Sequence, residues 1–455
     1  MMLSRREFLE RAGGGFGMLA LSHLWAGERP HHPPRARSVI HLFMNGGASQ
    51  CDTFDYKPEL FRRHGEAFDP GERVESVTGT VGKILGSPMK WKQHGQCGRW
   101  VSSVFPHVAT HVDDLAFLMA MQSKTNVHGP GVYLQCTGFT APGFPSLGAW
   151  ISYGLGSLNQ NLPSFVVLPD SRGLPYNSTG NFGSGFLSQA HAGTVVRPGA
   201  ANPIANLFAP AGVTPESARD GRALLEALNR SDAARHPGDA VLEARIASYE
   251  LAARMQLSAP EALDLAGEGE ATRRLYGMDA PVSADFGRNC LIARRLVERG
   301  VRFVQLWSGM AGASGNWDNH GNISTELPAI ASRVDRPIAG LLADLKSRGL
   351  LDETLVVWTT EFGRMPFAQA GTGRDHNGGT FVSWIAGAGI RGGTAYGQSD
   401  ALSWRAEADA TTGYDLHATM LHLLGIDHTK LTVRHNGIDR RVTDVHGRVV
   451  REILA

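Results

Sequence analysis

Short continuous apolar runs recur along the chain, each stopping at a polar or glycine-rich stretch. Ser38 to Met44 reads Ser-Val-Ile-His-Leu-Phe-Met and ends at Asn45-Gly46-Gly47, the pattern of a buried strand running into a loop. Leu115 to Met119, Phe165 to Leu168 and Val301 to Trp307 repeat it, and Thr354 to Thr360 is the strongest, with Leu355-Val356-Val357-Trp358. Helical periods lie between them. From Leu327, the apolar residues Ile330, Val334, Ile338, Leu341, Leu342 and Leu345 recur at three- and four-residue steps, which predicts one amphipathic helix closed by Gly349. Phe286 to Glu298 predicts a helix feeding the strand at Val301, and Tyr414 to Leu424 a late helix that Gly425 ends.

This alternation predicts an α/β fold with a mostly parallel sheet covered on both faces. Ligands of open sheets bind beyond the carboxyl ends of the strands, so the residues that follow each strand are where chemistry is expected. The stretch 171–285 differs: a Gly/Ser/Asn-rich loop gives way to charge-laced helical sequence such as Ala240 to Met255. It reads as an insertion or cap.

The N-terminus reads as an address. Ser4-Arg5-Arg6-Glu7-Phe8-Leu9 sets two arginines before a glycine-rich apolar run from Ala12 to Ala26, the layout of a bacterial twin-arginine export signal over 1–26. The alternative is a basic amphipathic helix that stays attached. Residues 27–37, with Pro30, Pro33 and Pro34, read as an extended linker. The expected location is periplasmic or otherwise exported, with the twin-arginine machinery as a partner. Such export carries folded proteins, often with a metal or cofactor already bound.

Composition removes several classes. Of 455 residues, 44 are Lys or Arg and 43 Asp or Glu, so a formal charge of +1 gives no reason to expect nucleic acid or an acidic membrane surface. No run approaches the ~18 apolar residues of a spanning helix, so no transmembrane anchor is expected in the mature chain. Cys51, Cys97, Cys136 and Cys290 are scattered without a C-x-x-C pair, and at least two are expected to be buried thiols.

Four post-strand stretches are rich in metal-type ligands. The first, Asn45 to Asp55, offers Asn45, Ser49, Asp52 and Asp55 between glycines that let backbone approach a ligand. The second is Asn316-Trp317-Asp318-Asn319-His320, with carboxylate and imidazole two residues apart. The third is Thr359-Thr360-Glu361-Phe362-Gly363-Arg364, an acid at a strand tip that is costly without a cation or donors. The fourth, Gly373-Arg374-Asp375-His376-Asn377, repeats the acid-His pairing on a glycine-rich loop. Mixed His and carboxylate ligands suit zinc or manganese, and magnesium where oxygens dominate. Arg364 and Arg374 are planar forks suited to an oxyanion or to a neighbouring acid. Trp317 and Trp404 are candidates for stacking on a sugar.

These motifs, with His41-Leu42-Phe43-Met44-Asn45-Gly46-Gly47-Ala48-Ser49, Phe144-Pro145-Ser146-Leu147-Gly148 and the helix Asp415 to Gly425, resemble the domain-of-unknown-function 1501 family of the alkaline phosphatase/sulfatase-like superfamily. The resemblance spans 38–455. It implies an alkaline phosphatase-like three-layer sandwich with a helical insertion, and one or two divalent ions, zinc first, with manganese, magnesium or calcium as alternatives. It places Asp318, His320 and His376 on metal-binding positions, with Asp52, Glu361 and Asp375 completing the expected ligand set. Asn45 stands where an aspartate is usual and Phe362 where a histidine is usual.

The family's nucleophile position falls near His128, where no Ser or Thr stands, and the sulfatase Cys-x-Pro-x-Arg signature is absent. His128 is open as nucleophile, general acid/base, metal ligand or packed loop residue. Ser49 and Thr125 are alternative hydroxyls, and a metal-bound hydroxide would remove the need for either. The expected catalytic groups are therefore His128, Ser49 and Arg364, with Arg374 and Asn45 as substrate contacts. The resemblance implies a metal-dependent hydrolase of a phosphate or sulfate ester on a glycan or small molecule. The alternatives are a non-catalytic metal-stabilised binding protein and an envelope scaffold that docks partners through 240–255.

Overall fold

The computed structural model of the protein describes residues 30–77, 79, 81–204, 212–239, 242, 246, 250, 254, 258–369 and 371–455. The expected export signal lies outside the described residues, as does most of 240–255. The apolar runs fold as β1 (Ser38–Met44), β2 (Leu115–Gln122), β3 (Phe165–Leu168), β4 (Thr194–Val195), β5 (Phe303–Ser308) and β6 (Thr354–Thr359). After them come a hairpin, β7 (Gly363–Ala368) with β8 (Arg374–Asn377), and then β9 (Phe381–Gly387), β10 (Thr394–Tyr396) and β11 (Thr411–Thr412).

All but the hairpin join one nine-stranded sheet in the order β10-β2-β9-β6-β1-β5-β3-β4, with β11 also on β2. β1 lies parallel to both neighbours, His41 standing opposite Gln305 and Val357. Among the described strands of this sheet only β9 reverses, antiparallel to β2 and β6. The sheet is mostly parallel, as its apolar runs predict.

Alternate residues of the strands face opposite cores, because strand side chains have a period of two. Ile40, Leu42, Met44, Val304, Leu306, Val356 and Trp358 point into one core; Val39, Phe43, Phe303, Trp307, Leu355 and Val357 point into the other. The first is covered by α3 (Ala284–Glu298), α4 (Ile323–Ala331) and α5 (Asp335–Ser347). α2 (Leu147–Leu155) and α6 (Gly413–Leu423) cover the second through Trp150, Ile151, Leu416 and Met420. The result is a three-layer α/β/α arrangement. Each fully buried Leu, Ile or Phe in it contributes about 1.5–3 kcal/mol.

The single helix expected from Leu327 to Leu345 is two, broken between Ala331 and Asp335. Pro337 cannot donate to the carbonyl of Arg333 and its ring would strike it, so the chain restarts there as a new first turn. The apolar face stays continuous, since Leu327, Val334 and Leu345 all enter the same core. Asp335 gains a second task, accepting from the backbone N–H groups of His107 (3.0 Å) and Val108 (2.8 Å).

Residues 30–37, expected as a linker, lie against the fold in a strap: Arg35 and Ala36 donate to the Leu423 carbonyl at the end of α6. The stretch 171–285 contributes β4 to the sheet edge and an exposed helix, Pro215–Arg235. Cys51, Cys136 and Cys290 are buried thiols and Cys97 is exposed, all unpaired. No helix among the described residues is long and apolar enough to cross a membrane.

Candidate metal centre

Beyond the carboxyl ends of β1, β2, β5 and β6, four side chains meet: His128, Asp318, His320 and His376, with ligand atoms all within 4.8 Å of one another. His128 is the first residue of α1 (His128–Thr137), delivered by the loop after β2. Asp318 and His320 come from the loop after β5. His376 sits on β8, so the late acid-His pair lies on a hairpin strand rather than on the expected loop.

Asp318 is the hub. Its Oδ1 is 2.7 Å from His320 Nε2 and 3.1 Å from His376 Nε2, and its Oδ2 is 3.2 Å from His128 Nε2. His320 Nε2 and His376 Nε2 are 2.9 Å apart. Each ring is held from behind through its other nitrogen. His128 Nδ1 meets Glu361 Oε1 at 2.7 Å, His376 Nδ1 meets the Asn126 carbonyl at 2.7 Å, and His320 Nδ1 meets Gln369 Oε1. All three partners accept through oxygen, so each ring donates outward from Nδ1 and turns its Nε2 inward to Asp318, the way metal-binding rings are held.

The loops require this packing. Gly46 has φ +122°, and a Cβ there would lie 2.7 Å from the backbone nitrogens of Trp317 and Asp318. Its own N–H donates to both oxygens of Glu361, 2.9 and 3.1 Å away. Tyr176 stacks flat on His128, ring centres 4.4 Å apart, so the stretch 171–285 supplies one wall of the centre.

The electrostatics favour an anionic hub. Burial alone would raise the Asp318 carboxyl, but hydrogen bonds with His128, His320 and His376 and the charge of Arg364 hold it far below the ordinary carboxylate range. Burial, reinforced by Arg364, lowers His376 to about 4. Burial also opposes a charge on His128, and there the bonds to Asp318 and Glu361 outweigh it and raise its pKa. Arg364 is fully buried. Its guanidinium donates to the carbonyls of Gly47 (2.7 Å), Arg374 (3.2 Å), Trp317 (3.3 Å) and Gly46, and sits 2.6 Å from Asp318 Oδ1.

This donor set fits a divalent ion. Convergent imidazole nitrogens with one carboxylate suit zinc, and each histidine carries the outer partner that fixes metal-binding rings. His128 Nε2 is buried and meets Asp318 Oδ2 only off line, at 3.2 Å, a contact that a cation at the centre would replace. A cavity of about 280 Å³ opens beside Asp318, with Arg333 on its wall.

The other expected site residues lie elsewhere. Asp52 is in a fully buried bidentate pair with Arg374, Nε to Oδ2 2.6 Å and Nη2 to Oδ1 3.1 Å, and Ser49 donates to the same carboxylate at 2.5 Å. Each of the three satisfies another, which removes Asp52 as a ligand, Arg374 as a substrate fork and Ser49 as an available hydroxyl. Asp375 accepts from Ser76 (2.6 Å) and from the His376 backbone, outside the ligand group. Glu361 stands one layer out, behind His128. Asn45 turns its amide to the carbonyls of Gly309 and Met310, both 3.3 Å away, holding the loop after β5. Thr125 accepts from the Val127 N–H.

Neither tryptophan is an open platform. Trp317 is buried in the core with its indole N–H on Ser308, and Trp404 is covered by Arg405. The residues that the sequence reading misses are Asn126, Gln369 and Tyr176. A backbone carbonyl, an amide beside a glycine-rich turn and a ring in an insertion carry no local signal.

A family model described as "Protein of unknown function (DUF1501)" matches residues 36–454. No curated protein matches the chain. Among solved structures, the lipoteichoic acid synthase LtaP from Listeria monocytogenes matches at 9% identity over 93% of this chain and 80% of that one, with a TM-score of 0.39. The PsFucS1 sulfatase from Pseudoalteromonas sp. matches at 12% over 93% and 76%, with a TM-score of 0.36. A protein in the alkaline phosphatase superfamily from Vibrio parahaemolyticus matches at 12% over 87% and 69%, also at 0.36. At these scores the likenesses carry no chemistry across.

Proposed function

The chain belongs to the family described as protein of unknown function (DUF1501), and from that premise we propose that it is an exported, metal-dependent hydrolase of a phosphate or sulfate ester. One observation carries the reading: three imidazole Nε2 atoms converge on the Asp318 carboxylate, and each ring is oriented by an acceptor at Nδ1. His128, Asp318, His320 and His376 would hold the ion, zinc by donor type. Bound there, it would supply Lewis-acid stabilisation of charge on a phosphoryl or sulfuryl oxygen.

The chain's own groups do the rest. Arg364, fixed on backbone carbonyls and paired with Asp318, would hold that carboxylate ionised and in place for the ion. Arg333, on the wall of the cavity beside Asp318, faces the route by which an anionic ester would enter. Glu361 keeps His128 in one tautomer and one orientation. Among the described residues no Ser or Thr hydroxyl bonds any of the four ligands, which supports water as the nucleophile. The bond between phosphorus or sulfur and the ester oxygen breaks. The hydroxyl of water stays on the phosphorus or sulfur, and its other proton goes to the departing alcohol. Arg5-Arg6 ahead of the apolar run supports export by the twin-arginine route.

The same lack of a bonded hydroxyl favours a second reading, a metal-stabilised binding protein without turnover. Hydrolysis of para-nitrophenyl phosphate and para-nitrophenyl sulfate, compared between wild type and Asp318→Asn, separates the two. Turnover abolished by the substitution supports the hydrolase. Activity that survives both chelation and the substitution would reject the proposed centre.

A further inference from the structure

We infer a second binding site, for a hydroxyl-rich small organic anion such as a phosphorylated or sulfated sugar, in a cavity of about 510 Å³ behind His376. It does not depend on the hydrolase reading. Its wall includes Ser123, Lys124, Asn126 and the ring of Tyr414, with Arg73 and Arg405 toward the rim. The metal centre faces the other way: His376 points Nε2 at Asp318, while its Nδ1 bonds the carbonyl of Asn126, which lines this cavity.

The lining is cationic in a particular manner. Lys124 lies over the face of Tyr414, its Nζ 4.7 Å from the ring centre, and among the described residues it bonds the Tyr414 hydroxyl (3.2 Å) and His446 Nε2 (3.0 Å). Among the described residues no carboxylate pairs with Lys124 or Arg73. Arg405 stacks on Trp404 at 3.8 Å and shares its charge with Glu72 at the surface. Glu75 is the one acid on the wall. An ammonium positioned by an aromatic face, a phenol hydroxyl and an imidazole nitrogen, with no carboxylate beside it among the described residues, keeps its charge for an incoming anion.

Size and polarity set the rest of the ligand. A bare inorganic anion would fill little of a cavity within the roughly 300–1,000 Å³ range of small-molecule sites. Ser123 has a buried hydroxyl oxygen with no hydrogen-bond partner, and Gln122, Thr125 and Asn377 add polar wall. Sugar hydroxyls suit such a lining. Both aromatic faces already carry cations, so a flat apolar ligand does not.

The test is calorimetric titration of the full chain with glucose 6-phosphate, glucose 6-sulfate and glucose, using wild type, Lys124→Gln and Asp318→Asn. The expected result is saturable binding of at least one ester, no binding of glucose, a loss of about tenfold or more in Lys124→Gln, and retention in Asp318→Asn. Which ester binds distinguishes phosphate from sulfate. Binding of neither ester overturns the inference, as does binding that Asp318→Asn abolishes and Lys124→Gln leaves intact. Metal content of the same wild-type sample reports separately on the metal centre.

Discussion

His320 Nε2 and His376 Nε2 stand 2.9 Å apart, each ring turned inward by an acceptor at its Nδ1. Both meet Asp318 Oδ1, to which Arg364 also donates, so three donor atoms are gathered where one divalent ion could share them.

The acceptors behind the rings should matter nearly as much as the ligands. Glu361→Ala removes the partner of His128 Nδ1, and Gln369→Ala that of His320. Each is expected to weaken zinc affinity by about 10–100-fold, measured by competition with a chelator of known affinity. Glu361→Gln, which keeps an acceptor oxygen, should recover part of the loss. Unchanged affinity in both alanine variants would place these residues outside the centre.

Asp52 and Arg374 should behave as structure rather than as site. Each side chain is fully buried and paired with the other, so Asp52→Ala leaves an uncompensated guanidinium. The expected cost is about 3–5 kcal/mol in urea unfolding. Metal bound per folded chain should not change. Loss of metal without loss of stability would return Asp52 to the ligand set.

A pair of core histidines predicts a pH dependence. Burial, helped by His417, lowers His41 to about 3, and burial lowers His417 to about 4, both from about 6.5. The unfolded chain therefore takes up protons below about 6.5 that the folded chain refuses. Their contribution is complete above that pH and is lost as pH falls toward 4. At pH 5 the loss is about 2 kcal/mol per histidine. His41→Gln should flatten the urea-stability profile between pH 7 and 5 by about that amount. An identical slope in the variant would show that His41 titrates normally.

Much of the fold is legible because the central strands are buried on both faces. Nothing polar interrupts Ile40 to Met44 except His41, and the run from Phe165 to Leu168 has the observed bounds. The hairpin β7–β8 was not, since Arg364, Asp375 and His376 look like loop residues. They are buried there because distant groups satisfy them: Gln50 and the carbonyls of Gly46 and Gly47 for Arg364, Ser76 for Asp375 and the Asn126 carbonyl for His376. The same difficulty divided the site. Residue type and strand-end position point to Asp318, His320 and His376. Whether Asp52 faces that group or an arginine depends on contacts more than 300 residues away in sequence.

The most direct test is the metal content of the full chain by elemental mass spectrometry, beside Asp318→Ala and His376→Ala. The expected result is about one divalent ion per wild-type chain, lost from both variants while circular dichroism shows them folded. A folded wild type that takes up no ion when offered zinc, or variants that retain it in full, would contradict the metal centre.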